Sequence, residues 1–165
     1  MMAGVAIKTS LGSFTAFFSE SGLARLEFPG AHVRGISQIS GRAASSPARQ
    51  RWVELTAQAL DEVLAGRRPE VLPPLDWSGR TAFQREVWQA LMRIGPGETK
   101  TYAQIAAEAG KPLAARATGG ACGANPIPML VPCHRVVAAN GGLGGFSAGL
   151  DWKRRLLARE GISIQ

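Results

Sequence analysis

Three side chains that can act together in nucleophilic chemistry stand in a row near the end of the chain: Cys133, His134 and Arg135. They interrupt an apolar, β-like run over residues 129–137. A thiolate is the nucleophilic form of cysteine, and a neighbouring imidazole or guanidinium favours it. The run therefore indicates a reactive thiol, although a buried and unreactive cysteine is the commoner fate of this residue type.

The backbone decides whether this thiol and imidazole can cooperate. Successive side chains of a regular strand face opposite ways. Cys133 and His134 can therefore couple only if the backbone departs from strand geometry or a water bridges them. Pro132 favours such a departure because it cannot donate a hydrogen bond to a sheet.

A carboxylate follows in the last predicted helix, which Asp151 can cap and Gly161 can end. Glu160 lies four residues beyond Leu156 and eight beyond Trp152. This spacing places all three side chains on one stripe, and the two apolar members predict that the stripe faces inward.

Two interpretations of this carboxylate stay open on the sequence alone. If Glu160 faces inward, an imidazole is a suitable partner, and Cys133, His134 and Glu160 would form a relay of nucleophile, base and orienting group. If it lies at the surface, it would pair with Lys153 or Arg159 instead.

The first half of the chain has the pattern of a small sheet followed by a helix. Short apolar runs separated by turns predict strands over residues 5–8, 14–18 and 23–28. Residues 29–48 lack a clean period and predict a loop with one weak strand over 33–39. Helical spacing of apolar residues predicts a helix over 49–65 that Gly66 ends.

Prolines separate the two halves of the chain. Pro69, Pro73 and Pro74 predict a stiff linker through Asp76. We therefore divide the chain into a domain over residues 1–77 and a second domain over residues 78–165.

The second half is predicted to be mainly helical. A capping box over residues 81–84 opens a helix that Gly95-Pro96-Gly97 stops, and a second capping box over 101–104 opens a short helix ending at Gly110. Pro112 then sits at or near the first position of a further helix that runs to about Gly123. Two short helices joined by a glycine turn form a helix-turn-helix pattern.

The second of these two short helices consists almost wholly of small residues around Arg116. Gly119 and Gly120 cost about 1 kcal/mol each relative to alanine inside a helix. This cost is expected only where another group packs closely against the helix backbone. The candidates are a neighbouring helix and a nucleic-acid groove, into which a smooth helix face with one projecting arginine would fit.

Charge is distributed unevenly along the chain, whose net charge is +7. Residues 1–77 carry eight basic and seven acidic groups, whereas residues 78–165 carry eleven basic and five acidic groups. A basic half beside a nearly neutral half is typical of a polyanion-binding module joined to a scaffold. A solvated arginine-rich surface would have the same composition.

Composition excludes several classes of protein. With 165 residues, 45% hydrophobic and 19% charged, the chain has the composition of a globular domain. It contains no run of about 18 apolar residues, so we expect no membrane span. Two cysteines cannot form a disulfide framework, and no export signal is visible. We therefore expect a cytoplasmic protein with free thiols.

A longer motif around the thiol resembles one known family, the alkylguanine-DNA alkyltransferases. The residues that carry the resemblance are Pro132-Cys133-His134-Arg135-Val136, preceded by Ala114-Ala115-Arg116-Ala117, Gly119-Gly120-Ala121 and Asn125-Pro126-Ile127-Pro128. The resemblance covers about residues 80–161, and the first half of the chain resembles the family only loosely. Members of this family repair O6-alkylguanine in DNA by moving the alkyl group onto their own cysteine.

The resemblance implies an α/β (α+β) fold. Its first domain would be an RNase-H-like small antiparallel sheet with a helix, and its second a winged helix-turn-helix-like, DNA-binding domain. The expected partner is double-stranded DNA that contains alkylated guanine, and O4-alkylthymine is a further expected substrate. The resemblance implies a monomer with neither an organic cofactor nor a metal.

The resemblance also implies roles for single residues. Cys133 would accept the alkyl group, while His134, through a water, and Glu160 behind it would draw off the thiol proton. Asn125 would act as a hinge that orders the turn beside the site. Because a thioether has no carbonyl for water to attack, the cysteine would not be regenerated, and one protein would repair one lesion.

The glycine-containing helix would contact DNA. Arg116 would fill the gap that a rotated-out guanine leaves, and Tyr102 would crowd the adjacent phosphate. The implied pocket residues are Tyr102, Val136, Phe146, Ser147 and Ala148. The implied DNA contacts are Arg116, Ala115, Thr118, Gly119, Ala121 and Arg135.

The chain departs from the family pattern at several positions. Phe146 stands where members commonly carry tyrosine, and Ala148 stands where they carry glycine. Ala148 adds a methyl group that would narrow the pocket for bulky adducts. Gly123 lies where an additional basic residue would contact DNA. The first half offers only His32 as a histidine or cysteine, so a four-ligand zinc site is not expected there.

Three other functions are compatible with parts of the pattern. A lesion-binding relative without transfer would replace the acceptor cysteine, which is present here. A helix-turn-helix regulator would use the basic half and would not need Cys133. A cysteine hydrolase would need turnover and an oxyanion hole.

Overall fold

The computed structural model of the chain describes residue 2 and residues 4–31 and 46–164. Its elements in chain order are β1 (Gly4–Thr9), β2 (Gly12–Phe18), β3 (Leu23–Glu27), α1 (Pro47–Leu64), α2 (Ala82–Met92), β4 (Lys100–Thr101), α3 (Tyr102–Glu108), α4 (Ala115–Gly123), a 3₁₀ turn (Cys133–Arg135), β5 (Val136–Val137) and α5 (Leu150–Arg159). The weak strand expected over 33–39 and His32 lie outside the described residues. Within those ranges, no helix combines the length and the apolar character needed to cross a bilayer.

The first half forms a small antiparallel sheet in the order β1-β2-β3, which confirms the three predicted strands. Ile7 pairs with Phe14 and Ala16 pairs with Leu26, and all four side chains are buried. Alternation of apolar and polar residues turns one face of the sheet inward. Helix α1 packs against β1 and β2 and buries an apolar stripe of its own.

The proline-containing linker is tied to the sheet and does not hang free. The Leu23 N–H donates to the Pro74 carbonyl at 2.8 Å, and the Asp76 N–H donates to the Leu23 carbonyl at 2.8 Å. Buried side chains from both halves form one continuous hydrophobic core. The domain boundary after residue 77 stays a prediction, because the two halves share this core.

Both predicted capping boxes are present, at the starts of α2 and α3. The predicted starts of the last two helices were wrong. Helix α4 begins at Ala115 and not near Pro112, because residues 111–114 form a turn in which the Ala114 N–H donates to the Lys111 carbonyl at 2.9 Å. Helix α5 has Gly149 at its N-cap, and Asp151 lies in the first turn without capping it.

The β-like run over 129–137 contains a strand only at Val136–Val137, which corrects the prediction from its apolar character. Strand β5 pairs in parallel with β4, with Thr101 opposite Val137. Because α3 starts directly after β4, this short pairing brings Tyr102 beside the segment that carries the thiol.

Gly66 ends α1 in the left-handed region, as predicted, with a φ of 75°. The Gly66 N–H donates to the Val63 carbonyl and the Arg67 N–H donates to the Glu62 carbonyl, both at 2.9 Å, which is a Schellman motif. A Cβ at residue 66 would lie 2.2 Å from the carbonyl oxygen of Arg159. The end of α1 therefore touches the backbone of α5, one residue before Glu160.

We predict that Gly66→Ala destabilises the protein by at least about 2 kcal/mol more than Gly79→Ala. Both glycines have a φ of 75°, so the backbone cost of about 1–2 kcal/mol is common to both. A Cβ at Gly79 meets no atom of the described residues within 4 Å, whereas the Cβ at Gly66 collides with α5. Urea unfolding of the two variants measures the difference, and equal midpoints would contradict the proposed contact.

Candidate active site

Two tight turns replace the expected strand and carry the thiol out of sheet geometry. The Leu130 N–H donates to the Pro128 carbonyl at 2.9 Å across Met129, whose φ of 71° gives a strained γ-turn. The Cys133 N–H donates to the Val131 carbonyl at 2.8 Å across Pro132 (φ −80°, ψ 64°), an inverse γ-turn that the proline ring favours. The 3₁₀ turn follows at once and carries the three polar side chains.

Glu160 faces inward and lies between two residues of the 3₁₀ turn. His134 Nε2 is 3.2 Å from Glu160 Oε1. The Arg135 guanidinium holds both carboxylate oxygens, through Nη2 to Oε1 at 2.6 Å and through Nε to Oε2 at 3.1 Å. The three side chains are at most 5% exposed. The surface interpretation of Glu160, with Lys153 or Arg159 as partner, was therefore wrong.

Helix geometry fixes the position of this carboxylate. Glu160 is the C-cap of α5, and Gly161 follows it with a φ of 81°. The Ile162 N–H donates to the Leu157 carbonyl at 2.9 Å and the Gly161 N–H donates to the Ala158 carbonyl at 3.0 Å. This Schellman motif ends the helix where the side chain must meet the 3₁₀ turn.

Electrostatics keeps the carboxylate ionised and the imidazole neutral. Burial by itself would raise the pKa of Glu160, but hydrogen bonds from His134 and Arg135 outweigh it and lower the pKa to about 2. Burial lowers the pKa of His134, against the opposing effect of Glu160. A neutral imidazole that donates from Nε2 to Glu160 carries its lone pair on Nδ1. His134 Nδ1 is buried and has no hydrogen-bond partner in the described part of the chain.

The thiol of Cys133 lies in the wall of a pocket of about 290 Å³. This volume is near the lower end of the range for small-molecule sites, roughly 300–1,000 Å³. The lining residues are Tyr102, Gly119, Cys122, Gly123, Cys133, Gly145, Phe146 and Ser147. Burial raises the pKa of Cys133. The Asn125 amide and the Lys153 ammonium oppose this effect without cancelling it. The resting thiol is therefore protonated and needs a base.

Asn125 holds the turns that precede the thiol. Its amide Nδ2 donates to the Val131 carbonyl at 2.9 Å, and its Oδ1 accepts from the Ile127 N–H at 3.0 Å. Asn125 lies two residues beyond the end of α4, so it links that helix to the thiol-bearing segment.

Lys153 is a functional candidate that the sequence reasoning missed. Its fully buried Nζ donates to the Val136 carbonyl at 2.6 Å and to the Gly145 carbonyl at 3.0 Å. No described carboxylate lies within ion-pair distance of this ammonium. The helical spacing of Lys153, Leu156 and Glu160 could have shown that this lysine faces inward.

Cys122 and Gly123 also line the pocket and were not predicted to do so. Burial raises the pKa of Cys122 to about 12. Both residues lie three or four positions beyond Gly119 on α4, so its helical period could have found them once Gly119 was placed at the site.

Three of the five expected pocket residues line the cavity: Tyr102, Phe146 and Ser147. Val136 is fully buried and is not among the residues that line it. Ala148 lies in an adjoining open groove that shares Ser147 with the pocket. The pocket assignments of Val136 and Ala148 stay predictions.

The expected DNA contacts on α4 divide into two groups. Arg116 is exposed, Ala115 is partly exposed and Gly119 lines the pocket. Thr118 and Ala121 are buried: the Thr118 hydroxyl donates to the Ala114 carbonyl at 2.9 Å, and the Ala121 carbonyl accepts from Trp88 Nε1 at 2.9 Å. These two residues face the protein core, which corrects their assignment as DNA contacts.

Arg135 was expected to contact DNA, and the structure contradicts this. Its guanidinium donates hydrogen bonds to the Glu160 carboxylate and, from Nη1, to the Ile94 carbonyl at 2.6 Å. Its side chain is only 5% exposed. Arg135 therefore compensates a buried carboxylate and presents no charge to the surface.

The glycines of α4 leave one helix face bare. A Cβ on Gly120 or Gly123 would meet nothing within 4 Å, and one on Gly119 would touch only the Tyr102 ring at 3.9 Å. Among the described residues, only the Tyr102 ring of α3 comes within 4 Å of these Cβ positions, and it reaches Gly119 alone, so close packing of a neighbouring helix does not explain Gly120 or Gly123. The bare face adjoins the pocket and lies beside exposed Arg116.

The chain is similar in sequence to one described family and to several of its members. Residues 82–162 match the family described as 6-O-methylguanine DNA methyltransferase, DNA binding domain. The chain is 46% identical over 120 residues to the methylated-DNA–protein-cysteine methyltransferase of Mycolicibacterium paratuberculosis, covering 69% of this chain and 72% of that protein. It is 55% identical over 87 residues to the corresponding Salmonella typhimurium protein, covering 53% of this chain.

The matched stretch spans about half the length of the Salmonella relative, 51%. A solved structure is similar over nearly the whole chain. The crystal structure of Mycobacterium tuberculosis OGT in complex with DNA superimposes with a TM-score of 0.72 at 37% identity, covering 94% of this chain and 90% of that one.

We predict that Lys153→Met raises the pKa of the Cys133 thiol, because the variant removes the cation that favours its ionised form. The rate of alkylation of Cys133 by iodoacetamide should rise with pH, and its midpoint should move to higher pH in the variant. A Cys122→Ser background leaves one thiol to follow.

Arg154→Met is the matched control, since Arg154 lies next to Lys153 on α5 but is about half exposed. An unchanged midpoint in the Lys153 variant, or an equal change in both variants, would contradict an electrostatic effect of Lys153 on the thiol.

Proposed function

The chain belongs to the methylated-DNA–protein-cysteine methyltransferase family, and from this premise we propose that it repairs DNA by moving the alkyl group of O6-alkylguanine onto its own Cys133. One arrangement carries the proposal: Cys133 lies in the wall of a pocket of about 290 Å³, and the residue that follows it is a buried imidazole held by a carboxylate. O4-alkylthymine is a second proposed substrate.

The first step is removal of the thiol proton. His134 Nδ1 has no hydrogen-bond partner among the described residues, and we propose that it takes the proton of Cys133 through one water. The imidazolium that forms is stabilised by Glu160, which is already ionised at neutral pH. Lys153 stabilises the thiolate because its ammonium lowers the pKa of Cys133.

The second step is transfer of the alkyl carbon. The thiolate attacks the carbon bound to O6, so that an S–C bond forms as the C–O bond breaks and guanine leaves as an anion. Hydroxyl groups of Tyr102 and Ser147 line the same pocket and can donate hydrogen bonds to this leaving group. The proton that left the thiol is finally taken up by guanine.

The product determines the stoichiometry. Transfer gives a thioether, which has no carbonyl for water to attack and is stable to hydrolysis. Cys133 is therefore consumed, and each chain reacts once. No step in this scheme requires a metal ion or an organic cofactor.

Access to the pocket requires the damaged base to leave the duplex, because a stacked base hides its alkyl group. We propose that the bare glycine face of α4 lies in the minor groove and that Arg116 fills the gap left by the base. Tyr102, which begins α3, would crowd the adjacent phosphate. Surface arginines and lysines would supply affinity that does not depend on sequence.

Several coarser expectations belong to the same proposal. The sheet and α1 would form the RNase-H-like domain, and the helical half would form a winged helix-turn-helix-like domain around α3 and α4. The protein would act as a cytoplasmic monomer on double-stranded DNA. The presence of Cys133 in the pocket argues against a binding protein that performs no transfer.

We predict that transfer from duplex DNA containing O6-methylguanine stops at one methyl group per chain, as measured by the mass of the protein. The added group should map to Cys133, and Cys133→Ala should abolish transfer while retaining affinity for the duplex. Product in excess of one per chain would show a turnover enzyme and contradict the proposal. An unmodified duplex is the control.

We also predict that Arg116→Ala slows repair of a lesion in duplex DNA more than reaction with free O6-methylguanine base, since only the duplex has a gap to fill. Affinity for undamaged DNA should fall as salt rises, with a slope reduced by about one in this variant. Arg51→Ala on α1 removes another exposed arginine as a control. Equal slowing with both substrates would contradict the proposed role.

A further inference from the structure

Phe28, the residue directly after β3, reaches from the first half of the chain to the wall of the pocket. Its ring meets that of Phe146 edge-on, with centroids 5.7 Å apart and planes at 86°. Phe146 lines the pocket that holds Cys133. We propose that Phe28 is a positioning residue that holds Phe146 inward and so sets the width of the pocket for the group carried to the thiol; which groups these are rests on the proposed function.

Phe28 can serve as a support because its own position is fixed. Its ring lies 5.3 Å from that of Phe14 in β2 and 4.9 Å from that of Trp152 in α5. Phe14 and Trp152 also meet, at 5.8 Å. Aromatic rings in such tilted and edge-on arrangements attract one another beyond the effect of burial. The cluster thus joins the sheet and α5 to the pocket wall.

The strand before Phe28 is anchored at the site as well. The Leu26 N–H donates to the Pro126 carbonyl at 2.9 Å, next to Asn125. Strand β3 is therefore hydrogen-bonded to the segment that leads to the thiol. This contact fixes the position of Phe28 relative to the thiol.

Phe146, in contrast, lies in a glycine-rich segment, residues 141–149, that forms neither helix nor strand. Gly144 and Gly149 flank it with φ values of 71° and 99°, which only glycine adopts readily. Within the segment the Gly149 N–H donates to the Phe146 carbonyl at 3.0 Å, and Lys153 holds the Gly145 carbonyl. Side-chain packing must then decide where the Phe146 ring sits, and this side chain has no hydroxyl with which to make a polar anchor.

Space is available for this wall to move outward. An open groove of about 330 Å³ adjoins the segment and shares Ser147 with the pocket; Phe28 and Ala148 are among its other lining residues. If the Phe28 ring is removed, Phe146 can shift toward the groove and the pocket widens. A wider pocket favours large groups over small ones at the thiol.

The test measures pocket width through the thiol itself. In a Cys122→Ser background, Cys133 is alkylated with iodoacetamide and with its bulkier N-benzyl derivative, and the ratio of the two rate constants is determined. We expect Phe28→Leu to raise the ratio of bulky to small reagent by about two- to tenfold, the range of a lost ring–ring contact. Because no alkylguanine is used, a negative result would leave the proposed function intact. Equally, a failure of the proposed function would leave the role of Phe28 intact.

Phe18→Leu is the matched control. Phe18 is buried in the same sheet, at 3% exposure against 9% for Phe28, but it stacks on Trp52 of α1, at 6.5 Å. It should lower stability without changing the ratio. An equal change in both variants would show general loosening and overturn the proposal, as would an unchanged ratio in a folded Phe28 variant.

A double-variant cycle separates positioning from simple destabilisation. In a Phe146→Leu background, Phe28→Leu should no longer alter the ratio, because its effect passes through the ring that has been removed. If Phe28→Leu does not fold, Phe28→Met keeps most of the side-chain volume without the ring and is expected to act in the same direction. Additive effects of the two substitutions would overturn the proposal.

Discussion

The arrangement of the site depends on one buried carboxylate. An ionised group inside a protein is tolerated only when charge and hydrogen bonds compensate it, and Glu160 obtains both from the 3₁₀ turn. Arg135 neutralises its charge, while burial, aided by the same cation, keeps His134 neutral and able to accept a proton. The same contact joins the end of α5 to the segment that carries Cys133, so the electrostatic need of one side chain also fixes the geometry of the nucleophile.

A second buried cation acts on the thiol in a different way. Arg135 is planar and binds the carboxylate with two parallel hydrogen bonds, whereas Lys153 carries a compact charge between two backbone carbonyls. Neither charge reaches the surface. Two of the eleven basic groups in residues 78–165 therefore contribute nothing to a DNA-binding surface, and Arg116 carries more of the proposed affinity than net charge suggests.

The described residues of the first half supply none of the reacting groups, yet they contact the site at two places. The glycine turn after α1 packs against the backbone beside Glu160, and Phe28 packs against Phe146 in the pocket wall. Strand β3 is hydrogen-bonded to the segment after Asn125. One continuous core across the two halves makes this possible, so the sheet acts as a frame for the helical half.

Local sequence determined what local interactions decide: the strands of the sheet, the capping boxes of α2 and α3, the glycine that ends α1, and the motif that brings Cys133 next to His134. Hydrophobic spacing along α5 also placed Glu160 on an inward face. Only the tertiary structure decided that Arg135 and Thr118 face inward and that Lys153 sits behind the thiol. The physical reason is that a period along a helix or turn shows which residues share a face, whereas the partner of that face comes from residues far away in the chain.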